Sequence, residues 1–514
     1  MLGIAAAAGV VVCVLPLAYM LLQVGTEGAA HAVLLLDARQ RTLLANTAVL
    51  GTGTALLATV IGAPLGLGLA RVAMPAKPIW RVALAAPVLL PPYVIGLAWV
   101  YLTGAAGPVA SIAGRDLFSD WTYSLPAAIL ILGLVFYPLS MLATEVAARR
   151  VERRLEEAGL VVAPTARVVW HITLPLIAPA IGATALVIFV LAVSEFGVPG
   201  LLRVRVFTTE VFTAFAALYD FSRATVLTLP LLALSIVVSA CAALLIGERL
   251  VATRRGASGA EPLAFAGWTL RTIAAASCVL ATALIVPLAV LTQEALGVPS
   301  VVAVVQGSRE AIRNSLGLSA VGASVVTFLA VWVGYARARA SRRVGIAVDA
   351  LLVVLFAVPS TVVGVGLIGV WNREGMFGSV YGTQGMLLLV YLARLVPVAA
   401  LALAAGIRYV PTSQEEAAAV AGVRWWRAML GIVLPQIKLS VLATWTIVFI
   451  LAFGELGASI LVAPPGEATL PIRIYTIIAN TAPAHIAALA LLQSIVVLAP
   501  LAVLGIACTS WRSR

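Results

Sequence analysis

Residues Gln414–Gln436, QEEAAAVAGVRWWRAMLGIVLPQ, form a charged, amphipathic insertion between two apolar runs, each long enough to cross a bilayer. The segment looks built to be gripped by something in water. An earlier stretch, Glu156–Leu176, reads EEAGLVVAPTARVVWHITLPL. At a constant offset of 260 residues, Glu156 falls on Glu416, Ala158 on Ala418, Ile172 on Ile432, and Leu174-Pro175 on Leu434-Pro435. Two copies at one offset imply a duplicated chain.

Composition sets the solvent. With 62% hydrophobic and 11% charged residues among 514, there is too little polar surface to cover a soluble globule of this size. The chain must be solvated largely by lipid. Windows of about 20 mostly apolar residues give twelve spans, near 4–24, 43–70, 82–104, 122–146, 174–200, 223–247, 271–292, 314–336, 346–370, 384–407, 434–462 and 485–508. The expected fold is an all-α polytopic membrane protein of two tandem, homologous six-span halves. The net charge of +12 does not point to nucleic acid, because the basic residues lie in short clusters between apolar runs. With a cytoplasmic N-terminus, the inside segments hold 22 of the 33 basic residues, as the positive-inside rule requires. Both termini and both charged insertions then face the cytoplasm.

Several classes are excluded. Met1–Leu22 carries no basic residue, so the first run reads as a retained span and not as a secretory signal. Cys13, Cys241, Cys278 and Cys508 each fall inside a predicted span without CxxC spacing, which argues against a disulfide framework or a metal site. His31, His171 and His485 are too scattered to hold a metal. A P-loop needs Gly-Lys-Ser/Thr around phosphates, yet neither Lys77 nor Lys438 follows a glycine. The chain binds no nucleotide of its own by this reading, and no catalytic residues are assigned.

The duplication extends beyond the insertions. Asn46-Thr47 opens the second span and Asn314-Ser315 the eighth, 268 residues apart. Pro91 through Gly96 and Pro359 through Gly364 keep that offset. Eight extra residues in the first half then fall between Gly96 and Glu156, most simply in the outside connection Gly104–Trp121. Ile181–Gly197 aligned on Val441–Gly457 gives seven identities in seventeen positions, among them Glu195 on Glu455 and Gly197 on Gly457. The first and seventh spans stand outside the recognisable repeat. The expected division is an N-terminal span and outside loop (1–42), a first transmembrane domain (43–248), a cytoplasmic linker (249–267), a seventh span and loop (268–313), a second, homologous transmembrane domain (314–508) and a short tail (509–514).

Glu416-Ala417-Ala418, Gly422 and Ile432-Val433-Leu434-Pro435 together resemble the EAA loop of inner-membrane permeases of binding-protein-dependent, type I ATP-binding-cassette importers. In the first copy Glu157 stands in place of the first Ala and Val162 in place of the Gly. The two fused permease domains and the tail Leu461–Tyr475 most resemble the ferric-iron-type permeases, with thiamine, polyamine and phosphonate permeases near enough to stay in play. The resemblance implies two copies of a cytoplasmic ATPase subunit seated on Glu156–Pro175 and Glu416–Pro435, with ATP used by that partner. It also implies a periplasmic or lipid-anchored binding protein that selects the solute.

The residues support a docking role. Ser413 is a candidate N-cap, Glu415 and Glu416 complement the positive end of a helix, the alanines permit close approach, and Gly422 permits a turn between two short helices. The plain alternative is an interfacial amphipathic helix without a partner. Glu195 and Glu455 are ionisable groups at membrane depth, which line a pathway or gate, or else reach water or pair locally. Arg394 in the tenth span poses the same choice and favours a structural ion pair. Pro91 with Gly96, and Pro359 with Gly364, loosen the third and ninth spans as either gating hinges or packing kinks. Tyr93, Trp99 and Trp121 read as interfacial anchors. A twelve-span, ion-driven secondary transporter explains the composition and the paired carboxylates but not the paired loops.

Overall fold

The computed structural model describes residues 10–23, 37–113, 120–249, 267–375 and 378–512. All regular structure among them is helical. Nine described helices are long and apolar enough to cross a membrane, and two bent pairs raise this to eleven. The shorter apolar helix Val10–Gln23 occupies the place of the first expected span. Most of the linker expected at 249–267 lies outside the described residues, as do residues 114–119 of the outside connection.

Packing divides the chain into two units, and neither is a contiguous half. One gathers Leu36–Glu210, Ala233–Val305 and Ile477–Arg514; the other gathers Val211–Leu232, Gln306–Thr476 and the stretch containing Val10–Gln23. The first and seventh apolar runs, which stand outside the repeat, have each joined the unit built mainly from the other half.

Within each unit a long helix supplies close backbone contact through glycine. In the first half, Gly62 and Gly66 of Ala38–Arg71 lie against the backbone of Leu125–Arg149, where an added Cβ would collide with the Tyr137 and Met141 carbonyls. In the second half, Gly334 of Arg309–Arg339 is the residue 268 positions after Gly66. A Cβ there would lie 3.0 Å from both the Ala400 carbonyl and the Ala404 nitrogen on Gly385–Ile407. Without a hydrophobic drive between helices in lipid, such small-residue contacts supply the dispersion energy of association.

Prolines decide where the spans break. The third span, expected as one helix over 82–104, is entered through the short helix Lys77–Ala85 and a 3-10 turn, and its membrane-length part starts only at Pro92, after a break at Leu90-Pro91. The ninth is Arg342–Ala357 and Ser360–Trp371, bent by 94° at Val358-Pro359. Each break places a Pro where its missing N–H removes a helical bond. A second device recurs before X-Pro. Leu174 donates its N–H to Val169 O, Leu434 to Met429 O and Val286 to Ala281 O, each an i→i−5 bond. These π turns sit just ahead of Pro175, Pro435 and Pro287, and widening the turn relieves the clash of the ring with the preceding carbonyl.

Candidate functional site

The second charged loop is a helical hairpin. Thr412–Val420 forms its first arm, with Pro411 at the N-cap and no side-chain cap, so Ser413 lies inside the helix and is not its cap. The arm ends in a Schellman motif: Gly422 N–H bonds Ala419 O at 3.0 Å and Val423 N–H bonds Ala418 O at 2.9 Å. Gly422 has φ +74°, the left-handed conformation this turn demands. Trp425–Ala428 then leads through the π turn into Leu434–Gln436, and a 76° bend separates this arm from Lys438–Phe453.

An arginine at the end of the membrane helix Arg309–Arg339 anchors the hairpin. Arg339 donates through Nε to Glu415 Oε1 at 2.9 Å and through its terminal nitrogen to Val410 O at 3.0 Å. Tyr335 donates its hydroxyl to Glu415 Oε2 and receives Trp425 Nε1–H at 2.9 Å. Glu416 and Ala417 face outward, whereas Ala418 is buried.

The first loop repeats this device more tightly. Arg71 Nε lies 2.9 Å from Glu156 Oε2, and its side chain also reaches Ala148 O at 2.6 Å. Thr173, inside the π turn, donates to Glu156 Oε1 at 2.7 Å. Glu156 is fully buried. Gly159 packs on Ile172 and Val168, closing Arg153–Val162 against the helix that begins at Thr165.

These anchors move the equivalence of the loops by one residue. Arg71 and Arg339 are 268 residues apart, the offset of the flanking spans, and they grip Glu156 and Glu415. Glu156-Glu157-Ala158 therefore matches Glu415-Glu416-Ala417, with Glu157, Ala158, Glu416 and Ala417 all exposed. The register returns to an offset of 260 at Thr165 and Trp425, where the second arms start. The second loop carries one extra residue in its turn. Where it uses Gly422, the first uses extended Ala163 followed by Pro164, which is why Val162 is tolerated there. Beyond the turn the arms agree: Ile172 and Ile432 are half-buried, Leu174 and Leu434 likewise, and Pro175 and Pro435 exposed. Val161 and Val162 on one hairpin and Val420 on the other are more than four-fifths exposed.

The other candidate residues assemble within each unit around a helix break. The helix Leu174–Ser194 stops at Glu195, whose carboxylate accepts the Gly197 N–H at 2.9 Å at the start of the short helix Gly197–Leu201. A Cβ at Gly96 would lie 3.2 Å from Leu201. The helix Lys438–Phe453 stops before Glu455, which accepts Ala458 N–H at 3.0 Å and Ser459 N–H at 2.9 Å at the start of Ser459–Val462. A Cβ at Gly364 would lie 2.9 Å from Leu461. Pro91 and Pro359 are the N-caps of the helices that carry these glycines. The fifth and eleventh spans thus end at their carboxylates and do not run through them. Glu455 pairs with Arg394 at 3.0 Å, the structural ion pair favoured from sequence for Arg394. Gly197 and Gly457 are buried at the two breaks.

Tyr93 is not an interfacial anchor. It is buried, and its hydroxyl bonds the buried Gln493. The anchoring residues Arg71, Arg339, Tyr335 and Thr173 are absent from the sequence-based site. The readable signal was the 268-residue spacing of the two arginines, which composition alone assigned to topology. Among the described residues no group of three or more His, Cys, Asp or Glu side chains is placed to hold a metal ion.

Comparison with known proteins agrees with this architecture. The profile of the family described as binding-protein-dependent transport system inner membrane component matches residues 311–509. A Fe(3+)-transport system permease protein of Haemophilus influenzae is 26% identical over 90% of this chain and 89% of its own. A putative ABC transporter permease protein of Streptomyces antibioticus is 32% identical over 31% of this chain and 68% of its own. A molybdenum transport system permease protein of Mycobacterium tuberculosis is 29% identical over 37% of this chain and 72% of its own. The chain is a multi-pass membrane protein and belongs to the binding-protein-dependent transport system inner membrane components, the permease subunits of ATP-binding-cassette importers.

Proposed function

We propose that this permease carries ferric iron across the inner membrane, delivered by a periplasmic or lipid-anchored binding protein and driven by two copies of a cytoplasmic ATPase subunit. The observation that carries the choice of solute is the alignment with the ferric permease over 90% of the chain, through both halves, against 37% for the molybdenum permease. Iron is cargo in this reading, and the chain itself binds no nucleotide.

The coupling sites are the hairpins Glu156–Pro175 and Glu416–Pro435. Their exposed Glu157, Ala158, Glu416 and Ala417 form the docking face, while Arg71 and Arg339 tie each hairpin to a membrane helix. A rigid arm between ATPase and span passes on motion that a loose loop would absorb. ATP closes the ATPase pair beneath the hairpins, the spans open outward to receive solute, and hydrolysis resets them. The helix breaks at Glu195 and Glu455, packed on Gly96 and Gly364, are the gate elements. Both termini lie in the cytoplasm.

The test is uptake by proteoliposomes holding the complete importer with its binding protein. ATP-dependent accumulation of ferric iron, with none of molybdate, thiamine, polyamine or phosphonate, is the expected result. Accumulation driven by an ion gradient without ATP would place the chain among secondary transporters.

A further inference from the structure

A cleft of about 500 Å³ opens between the helix Lys77–Ala85 and the end of Leu125–Arg149. Its floor is Glu145, whose side chain is 4% exposed. Arg81 grips this carboxylate through Nε at 3.0 Å to each oxygen, and Arg149 reaches Oε1 at 2.8 Å. Lys77 completes the rim. Three cations thus surround one carboxylate, leaving two positive charges uncompensated in the cleft. Burial depresses the Lys77 pKa first and Arg149 depresses it further, Glu145 opposes them, and Arg81 adds to the depression, as expected where cations outnumber anions in a partly desolvated site.

The cleft is also amphipathic. Leu142 and Val146 continue its wall along the membrane helix, and Val146 is half-exposed. Ile79, on the helix that carries Lys77 and Arg81, is 69% exposed, the pattern of a helix lying at a membrane interface. The corresponding place in the second half is filled. Gly345, 268 residues after Lys77, lies so close to the Arg337 guanidinium that a Cβ would collide with it, and Arg337 pairs with Asp349.

We propose that this cleft binds the phosphodiester headgroup of an anionic phospholipid, with Lys77 and Arg149 on the phosphate and an acyl chain along Leu142 and Val146. A cationic mouth alone would suit any anion, and the apolar wall selects a lipid. A basic pocket between membrane helices is a known form of lipid headgroup site.

Native mass spectrometry of the purified chain in mixed phosphatidylglycerol and phosphatidylcholine micelles tests this. Wild type should retain phosphatidylglycerol preferentially, and Lys77→Gln/Arg149→Gln, which keeps the Arg81–Glu145 pair, should retain it about thirtyfold less, as follows from removing two cations at about 1 kcal/mol each. Arg342→Gln/Arg343→Gln, two exposed cations elsewhere, should leave retention unchanged. No phosphatidylglycerol preference in wild type would overturn the proposal without recourse to any variant. So would equal retention by the Lys77/Arg149 variant, or an equal loss in the Arg342/Arg343 control. Displacement of the lipid by millimolar inorganic phosphate would assign the cleft to a free anion. In the assembled importer, loss of the ATPase subunit from the Lys77/Arg149 variant, with lipid retention intact, would assign the cleft to the ATPase. Either result contradicts a lipid site.

Discussion

Arg71 and Glu156 form an ion pair closed off from solvent, with side chains 4% and 0% exposed and 2.9 Å between Nε and Oε2. The pair joins the end of one membrane helix to the first coupling hairpin. Breaking a buried pair by removing one partner typically costs ~3–5 kcal/mol, because the remaining charge stays uncompensated. Arg71→Met should therefore lower the melting temperature of the purified chain markedly. Arg71→Met/Glu156→Met should recover part of the loss, since replacing both partners by apolar groups is often nearly neutral. A double variant as unstable as the sum of the singles would show that the residues do not act as a pair.

Gly422 holds φ +74° with no atom within 4 Å of an added Cβ. Substitution there strains the backbone without steric collision. Gly422→Val should cost ~1–3 kcal/mol locally and turn the hairpin away from its seat. The chain should still reach the membrane while ATP hydrolysis no longer drives uptake. Gly422→Asn, which tolerates the left-handed region, should keep most coupling. The ratio of ATP hydrolysed to solute accumulated is the readout, and a normal ratio in Gly422→Val would remove this turn from the coupling route.

Two glycines of one helix separate packing from propensity. On Arg309–Arg339, Gly334 contacts backbone of a neighbouring helix, while Gly317 has open space around it. Gly334→Ala should destabilise the protein, whereas Gly317→Ala should be neutral or stabilising by up to ~1 kcal/mol. Thermal unfolding of both variants in one detergent decides this.

Glu455 accepts bonds from two backbone amides and pairs with Arg394. Glu455→Gln keeps an acceptor oxygen for one of the two amides and loses the charge, so it should impair transport less than Glu455→Ala, which leaves both amides without this acceptor and Arg394 without its carboxylate. Equal uptake by the two variants would show that the capping bonds do not matter for transport.

The duplicated plan, the membrane-length helices and the helical hairpins around Glu156 and Glu416 were legible because each rests on local pattern: apolar run length, Pro and Gly placement, and a fixed offset. The one-residue shift between the loops was not. Glu156 aligns with Glu416 in sequence because Ile172-x-Leu174-Pro175 pins the register downstream. Only the grip of Arg71 and Arg339 reveals that an added turn residue lies between. The exchange of the first and seventh spans was equally hidden. Lipid-facing helices share one composition, so hydropathy locates a span without naming its neighbours. Tyr93 was misplaced for the same reason, since an aromatic near a span end reads alike whether it meets headgroups or a buried Gln493.

The central claim is that the exposed carboxylates of the two hairpins meet the ATPase. Co-purification of the chain with the ATPase subunit of its importer, comparing wild type with Glu157→Lys/Glu416→Lys, tests it most directly. Both residues are exposed, so the variant should fold with an unchanged melting temperature. The account predicts that wild type retains the ATPase and the double-lysine variant loses it. Undiminished retention by a folded double-lysine variant would contradict it.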